Sequence, residues 1–175
     1  MKGYCLTTSI CISYDISAII IGEGQDRQAL EGTARMLGLS DRVIFTGWVK
    51  PDIVSAYLAA GDIFVSPSRT EAQGLTVIEA MIAKTPVITA RVGGIVDSVR
   101  HEETGLLVNE RSPDEIAKAI ERLVREPFLA DHLREQGYKL AVNKFSRASS
   151  AESFSSLFDR MIQIKKPRHV DKKLE

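Results

Sequence analysis

Glu71 and Glu79 stand with seven residues between them in a segment, Ser66 to Met81, that reads as a strand end, a loop and the start of a helix. Ionised carboxylates accept hydrogen bonds and donate none, and a hydroxyl donating to a carboxylate makes the stronger, charge-assisted kind of bond. A helix opening at Gly74-Leu75-Thr76 leaves its first N–H groups without partners and turns the positive end of its dipole outward. Free amides suit a diphosphate, and a carboxylate on either side suits hydroxyls. The arrangement fits a sugar nucleotide: the diphosphate on the amides, one glutamate on a sugar and the other on a ribose.

Each of these residues also has a plainer reading. Thr76-Val77-Ile78-Glu79 spells a capping box, in which Glu79 reaches back to the Thr76 amide and fastens the helix start. Glu71, two residues after Arg69, fits a surface ion pair contributing roughly 0–1 kcal/mol. Gly93-Gly94 before Ile95 fits either a bare turn or a helix start with room for a ligand. Trp48 reads as partial core. His101 and His132 read as surface residues on charged helical stretches, and His169 as part of the tail.

The elements that must position the glutamates follow from periodicity. Ala18–Ile21, Val43–Phe45, Ile63–Val65, Val87-Ile88 and Leu106–Val108 are short apolar runs, apolar on both faces, each followed by Gly, Pro or polar punctuation. Helix-length stretches lie between them: Gln25 to Leu37, stopping at Gly38; one opened by Pro51 and bearing Val54, Tyr57 and Leu58; and one introduced by the capping box Ser112-Pro113-Asp114-Glu115. After Pro127 the strands cease and two helical patterns remain, Phe128 to Val142 and about Ser150 to Ile164. Strand–helix alternation followed by helices predicts an α/β fold, a doubly wound Rossmann-like parallel sheet with C-terminal helices. The domain reading is 1–17 as an irregular or truncated N-terminal segment, 18–164 as the ligand-binding domain, and 165–175 as a frayed basic tail.

Composition narrows the partners. The 175 residues suffice for one core that buries about two-thirds of the unfolded surface. With 23 basic and 23 acidic residues the formal charge is zero, so the basic face of a nucleic-acid binder is not expected. Cys5 and Cys11 have no paired cysteine motif or neighbouring histidine, which supports neither a zinc site nor a disulfide framework and fits a reducing compartment. No apolar run approaches the ~18 residues of a membrane span, and Met1 to Ser17 does not read as a signal peptide. The expected location is cytoplasmic; the tail Lys165-Lys166-Pro167-Arg168 reads as solvated and frayed, the alternative being peripheral contact with anionic lipid at the inner face of a membrane.

In this order, Ile21-Gly22-Glu23-Gly24, Arg42 to Gly47, Gly61 to Ser68, the two glutamates, Pro86-Val87-Ile88, Val92-Gly93-Gly94-Ile95, Thr104 to Val108 and Ser112-Pro113-Asp114 resemble the glycosyl transferases group 1 family of retaining GT-B glycosyltransferases. What they resemble is its C-terminal, donor-binding half. The resemblance implies that Glu71 hydrogen-bonds the transferred sugar and Glu79 the ribose of a uridine, guanosine or adenosine diphosphate. The amides of Gln73, Gly74 and Leu75, with the Thr76 hydroxyl, would hold the diphosphate. Gly22 and Gly24 would allow close approach at a strand end, and Thr46-Gly47-Trp48 would lie beside the base. The family transfers a glycosyl group with retained configuration and usually without metal, so no cofactor or metal is expected. Its cationic pair is an arginine closing the first strand and a lysine in a Lys-Gly step, for which Lys2-Gly3 is the candidate.

By that resemblance the first strand and the acceptor-binding N-terminal domain are absent. The chain is then expected to need that domain or a partner chain and to transfer little alone; the alternative is a truncated, non-catalytic remnant or nucleotide-binding module. Either an unpaired sheet edge or a rearranged N-terminal segment is expected too, with Phe154, Phe158 and Met161 exposed on the last helix.

Overall fold

The computed structural model describes residues 15–165; Lys2, the rest of the chain before Asp15 and the stretch after Lys165 fall outside them. β1 (Ala18–Ile21) leads into α1 (Arg27–Met36), β2 (Val43–Gly47) into α2 (Pro51–Ala60) and β3 (Phe64–Ser66) into α3 (Leu75–Ile82). β4 (Val87–Ala90) then leads into the single turn α4 (Ile95–Ser98), and β5 (Leu106–Val108) into α5 (Pro113–Arg125). Two further helices, α6 (Pro127–Phe145) and α7 (Arg147–Lys165), follow directly. All strand pairs are parallel, which requires a crossover between neighbours, and α1, α3 and α4 supply the three. This is the α/β, Rossmann-like arrangement with C-terminal helices that the periodicity predicts.

The strands form two sheets rather than one, β1–β2 and β3–β4–β5. Among the described residues no strand lies between β1 and β3 to join them, so within those residues each keeps an unpaired ladder edge; the alternative expectation, a rearranged N-terminal segment, lies outside the described residues. Burial follows pairing. β4, flanked on both sides, is buried along its whole length, whereas Ile19, Ile21 and Ile44 of the two-stranded sheet are exposed.

The core sits around the three-stranded sheet. α3 buries Val77, Ile78, Ala80 and Met81, and α6 lays Leu133, Gly137 and Ala141 inward. A Cβ at Gly137 would stand 3.0 Å from the Thr104 carbonyl oxygen and 3.4 Å from Met81, so a residue without a side chain lets α6 approach α3 closely. On the other side Ile88, Leu106 and Val108 pack against Ile120, Leu123 and Leu133. Each fully buried Leu, Ile, Val or Met contributes about 1.5–3 kcal/mol, and the packing of Val77, Ile78 and Met81 with Val87, Ile95 and Val99 holds α3 and its amino end in place.

Two local expectations are corrected. The capping box at Ser112 is not made: Ser112 precedes α5 but its hydroxyl donates to the Glu110 carbonyl at 3.3 Å, and Glu115 reaches past it to Asn109. The Asn109 main-chain amide donates to one Glu115 oxygen at 2.7 Å and its side-chain amide to the other at 2.8 Å, a pair of partners that one serine amide does not match. His101 is exposed, as read, but lies at a bridge beside β5 rather than on a helix, where its Nδ1 accepts the Leu107 amide at 3.0 Å. His132 is exposed on α6, and Phe154, Phe158 and Met161 are exposed on α7.

Candidate functional site

α3 opens at Leu75 with Gly74 as its N-cap in the left-handed region, φ 74 and ψ 51. Glycine adopts that conformation without penalty, and a Cβ there would press into the Ile95 side chain. A glycine N-cap has no side chain to satisfy the first helical amides, and among the described residues no side chain bonds the amides of Leu75 and Thr76. Leu75 and Thr76 are exposed, as is Gln73 just before the turn. Thr76 is the second residue inside the helix, whereas a capping box needs its threonine at the N-cap, so Thr76-x-x-Glu79 is not one. Glu79 stands exposed on α3, one turn in.

Glu71 is half-buried, and its Oε1 accepts the Gly74 N–H at 3.2 Å. It makes no ion pair with Arg69 among the described residues, which removes the surface-pair reading. Its main chain is held as well. The Gly94 amide donates to the Glu71 carbonyl oxygen at 3.1 Å, and the buried Ser98 hydroxyl donates to the Gln73 carbonyl oxygen at 3.2 Å. Gly93 and Gly94 lie so close to the carbonyls of Glu71 and Ala72 that neither position has space for a Cβ. The Gly-Gly step is thus neither a bare turn nor ligand space but a clamp on the loop that carries Glu71. Ser98 carries no local signal that sequence reasoning could use, because its partner is on a loop 25 residues away.

Gly22 and Gly47 form a second group at the carboxyl ends of β1 and β2. The Gly22 amide, at φ 124, donates to the Gly47 carbonyl oxygen at 2.9 Å, and Gly47 takes φ 72. Open space surrounds the Cα atoms of Gly22 and Gly24, whereas Gly47 lies against the Glu23 carboxylate and the Arg27 guanidinium. Arg27 donates to Glu31 at 2.8 Å, to Glu23 at 2.6 Å and to the Phe45 carbonyl at 3.3 Å; the Glu31 hydrogen bond first, and then the charges of Glu23 and Glu31, raise its pKa above the ordinary arginine value against an opposing desolvation. Trp48, read as partial core, is 69% exposed: it follows the positive-φ turn at Gly47 and leaves the strand for solvent.

The structure therefore brings Glu71, Gln73, Gly74, Leu75, Thr76 and Glu79 onto one loop and helix end, and Gly22, Gly24 and Gly47 onto another. Both lie at the carboxyl ends of parallel strands, where ligands of open α/β sheets bind. No hydrogen bond among the described residues ties one group to the other. The depression of about 420 Å³ on α1, lined by Ala29, Gly32, Arg35 and Met36, includes neither glutamate. Among the described residues no three His, Cys, Asp or Glu gather as a metal site, and no helix is long and apolar enough to cross a membrane.

The sequence profile of the family "Glycosyl transferases group 1" matches residues 8–140. A lipopolysaccharide core biosynthesis glycosyltransferase, LpsE of Rhizobium meliloti, is 35% identical over 138 residues, 79% of this chain and 40% of that protein. Alpha-D-kanosaminyltransferase of Streptomyces kanamyceticus is 28% identical, over 82% of this chain and 37% of its own length. Among solved structures, the C-terminal domain of a glycosyl transferase group 1 family protein, LpcC of Francisella tularensis, superimposes with a TM-score of 0.75 at 28% identity, covering 81% of this chain and 76% of that one. Anabaena HepE, solved in complex with UDP, gives 0.80 at 23% identity, covering 91% of this chain and 45% of that one, a likeness of fold. The chain spans about two-fifths of the length of these curated relatives. With the profile covering most of its length and its fold recurring in GT-B enzymes, the chain belongs to the glycosyl transferases group 1 family.

Proposed function

We propose that this chain is the donor-binding half of a retaining GT-B glycosyltransferase and holds a nucleotide diphosphate sugar on the amino end of α3. The observation that carries the reading is that end itself: a glycine N-cap leaves the Leu75 and Thr76 amides uncapped between a half-buried Glu71, which accepts the Gly74 amide, and an exposed Glu79. In this reading the amides of Gln73, Gly74 and Leu75 and the Thr76 hydroxyl take the diphosphate, Glu79 the ribose and Glu71 the sugar. Gly22, Gly24 and Gly47 let the main chain approach the nucleotide, and Lys2, outside the described residues, is the candidate cation.

An acceptor-binding domain, from the same protein or a partner, supplies the hydroxyl. The bond from the anomeric carbon to the phosphate oxygen breaks, a bond to the acceptor oxygen forms on the same face, and the acceptor's proton passes to the departing phosphate. The protein's share is orientation and electrostatic stabilisation of the leaving diphosphate, for which fixed amides suffice without a metal.

Calorimetric titration of UDP, GDP and ADP, and of their sugar conjugates, tests the reading. We expect one nucleotide series to bind the wild-type chain more tightly than millimolar and Glu79→Ala to weaken it. Absence of binding by every series sinks it. Sugar transfer on mixing with an acceptor domain then separates an enzyme half from a non-transferring nucleotide module.

A further inference from the structure

We propose that Glu71 makes the site prefer a diphosphate that carries a sugar over one that does not, by exchanging hydrogen-bond partners. This deepens the reading above and rests on it. In the unliganded protein the Glu71 carboxylate already accepts the Gly74 N–H, one of the amides the diphosphate would use. An anion thus stands in the anion's place.

The loop cannot move aside to resolve the conflict. Its carbonyls at Glu71, Ala72 and Gln73 are held by the Gly94 amide, by the close approach of Gly93 and Gly94, and by the Ser98 hydroxyl. Only the Glu71 side chain is left to rotate. A bare diphosphate must push the carboxylate off Gly74 and then tolerate a like charge a few ångströms away. A diphosphate bearing a sugar brings hydroxyl donors that receive the displaced carboxylate in charge-assisted bonds. Once the sugar has left, those donors are gone, the carboxylate returns to Gly74, and the nucleotide diphosphate is expelled. Glu79, exposed on α3, meets a ribose present in both ligands and has no part in this choice.

The test titrates UDP, GDP and ADP, with UDP-glucose, GDP-mannose and ADP-glucose, into the full chain as wild type, Glu71→Gln and Glu71→Ala. Glutamine keeps an acceptor for Gly74 without the charge; alanine removes both. For the nucleotide series that binds the wild type, both variants should bind the free diphosphate about threefold to tenfold more tightly and the sugar conjugate no more tightly. In the unliganded ¹⁵N-labelled chain, the Gly74 amide resonance should move upfield in Glu71→Ala, a readout that also reports whether the variant is folded. If the wild type binds a diphosphate and both variants bind it equally or more weakly, the exchange is overturned while the site stands. If no nucleotide binds any form, the donor reading falls and takes this inference with it.

Discussion

The Ser98 hydroxyl donates to the Gln73 carbonyl oxygen at 3.2 Å, joining a one-turn helix after β4 to the loop before α3. The hydroxyl is buried, and the carbonyl it serves is next to the N-cap of α3. Ser98→Ala should lower stability by about 1 kcal/mol in urea denaturation. It should also weaken nucleotide binding about threefold to tenfold in calorimetry, because the loop loses its anchor. Unchanged affinity would show that the loop is placed without it.

Glycine substitutions should separate clamp from open rim. A Cβ at Gly94 runs into the Ala72 carbonyl, backbone against backbone, so Gly94→Ala should cost more than about 2 kcal/mol and abolish nucleotide binding. At Gly24 the space is empty and no left-handed φ is imposed, so Gly24→Ala should change stability by less than about 0.5 kcal/mol. Thermal melts of the two variants side by side decide the matter.

Glu79→Gln should leave stability within about 0.5 kcal/mol, since its carboxylate is exposed and caps nothing, while nucleotide affinity falls about tenfold. A melting curve displaced by the ~1 kcal/mol of a lost cap would instead return Glu79 to a structural role.

Acid should loosen the turn after β5. Hydrogen bonds from the Asn109 main-chain and side-chain amides hold the Glu115 carboxyl below its ordinary value of 4.5, and a hydrogen bond and charge from Arg122 do the same for Glu102. A carboxyl with a depressed folded pKa contributes stability that is complete above 4.5 and is lost as pH falls through the lower folded value. Glu115→Gln should therefore flatten the acid side of the stability profile, and leave the neutral-to-alkaline side parallel to wild type, in urea midpoints measured across pH.

How much of this was legible in the sequence depends on the range of the interaction. Strands such as Val87-Ile88 and helices such as Pro51–Ala60 declare themselves through local period and punctuation, and the structure places them there. The helix opening at Gly74-Leu75 is likewise legible, whereas the left-handed conformation of Gly74 is not. The clamp was not, because Gly94 meeting Ala72 and Ser98 meeting Gln73 are contacts between loops that only the packing of β4 beside β3 creates. Capping boxes failed for a related reason. Thr76 and Ser112 have the right spacing, but the helix begins one residue before Thr76, and Glu115 finds two better donors in Asn109. Trp48 shows the limit of composition: a large ring next to a strand ends in water because Gly47 turns the chain outward.

The divided sheet bears on how this molecule would come apart. Two ladders that share no rung among the described residues can break separately, so the glycine rim at Gly22 and Gly47 and the carboxylate loop at Glu71 belong to pieces able to melt one after the other. A nucleotide spanning both would weld them into one unit, sharpening the unfolding transition as well as raising its midpoint.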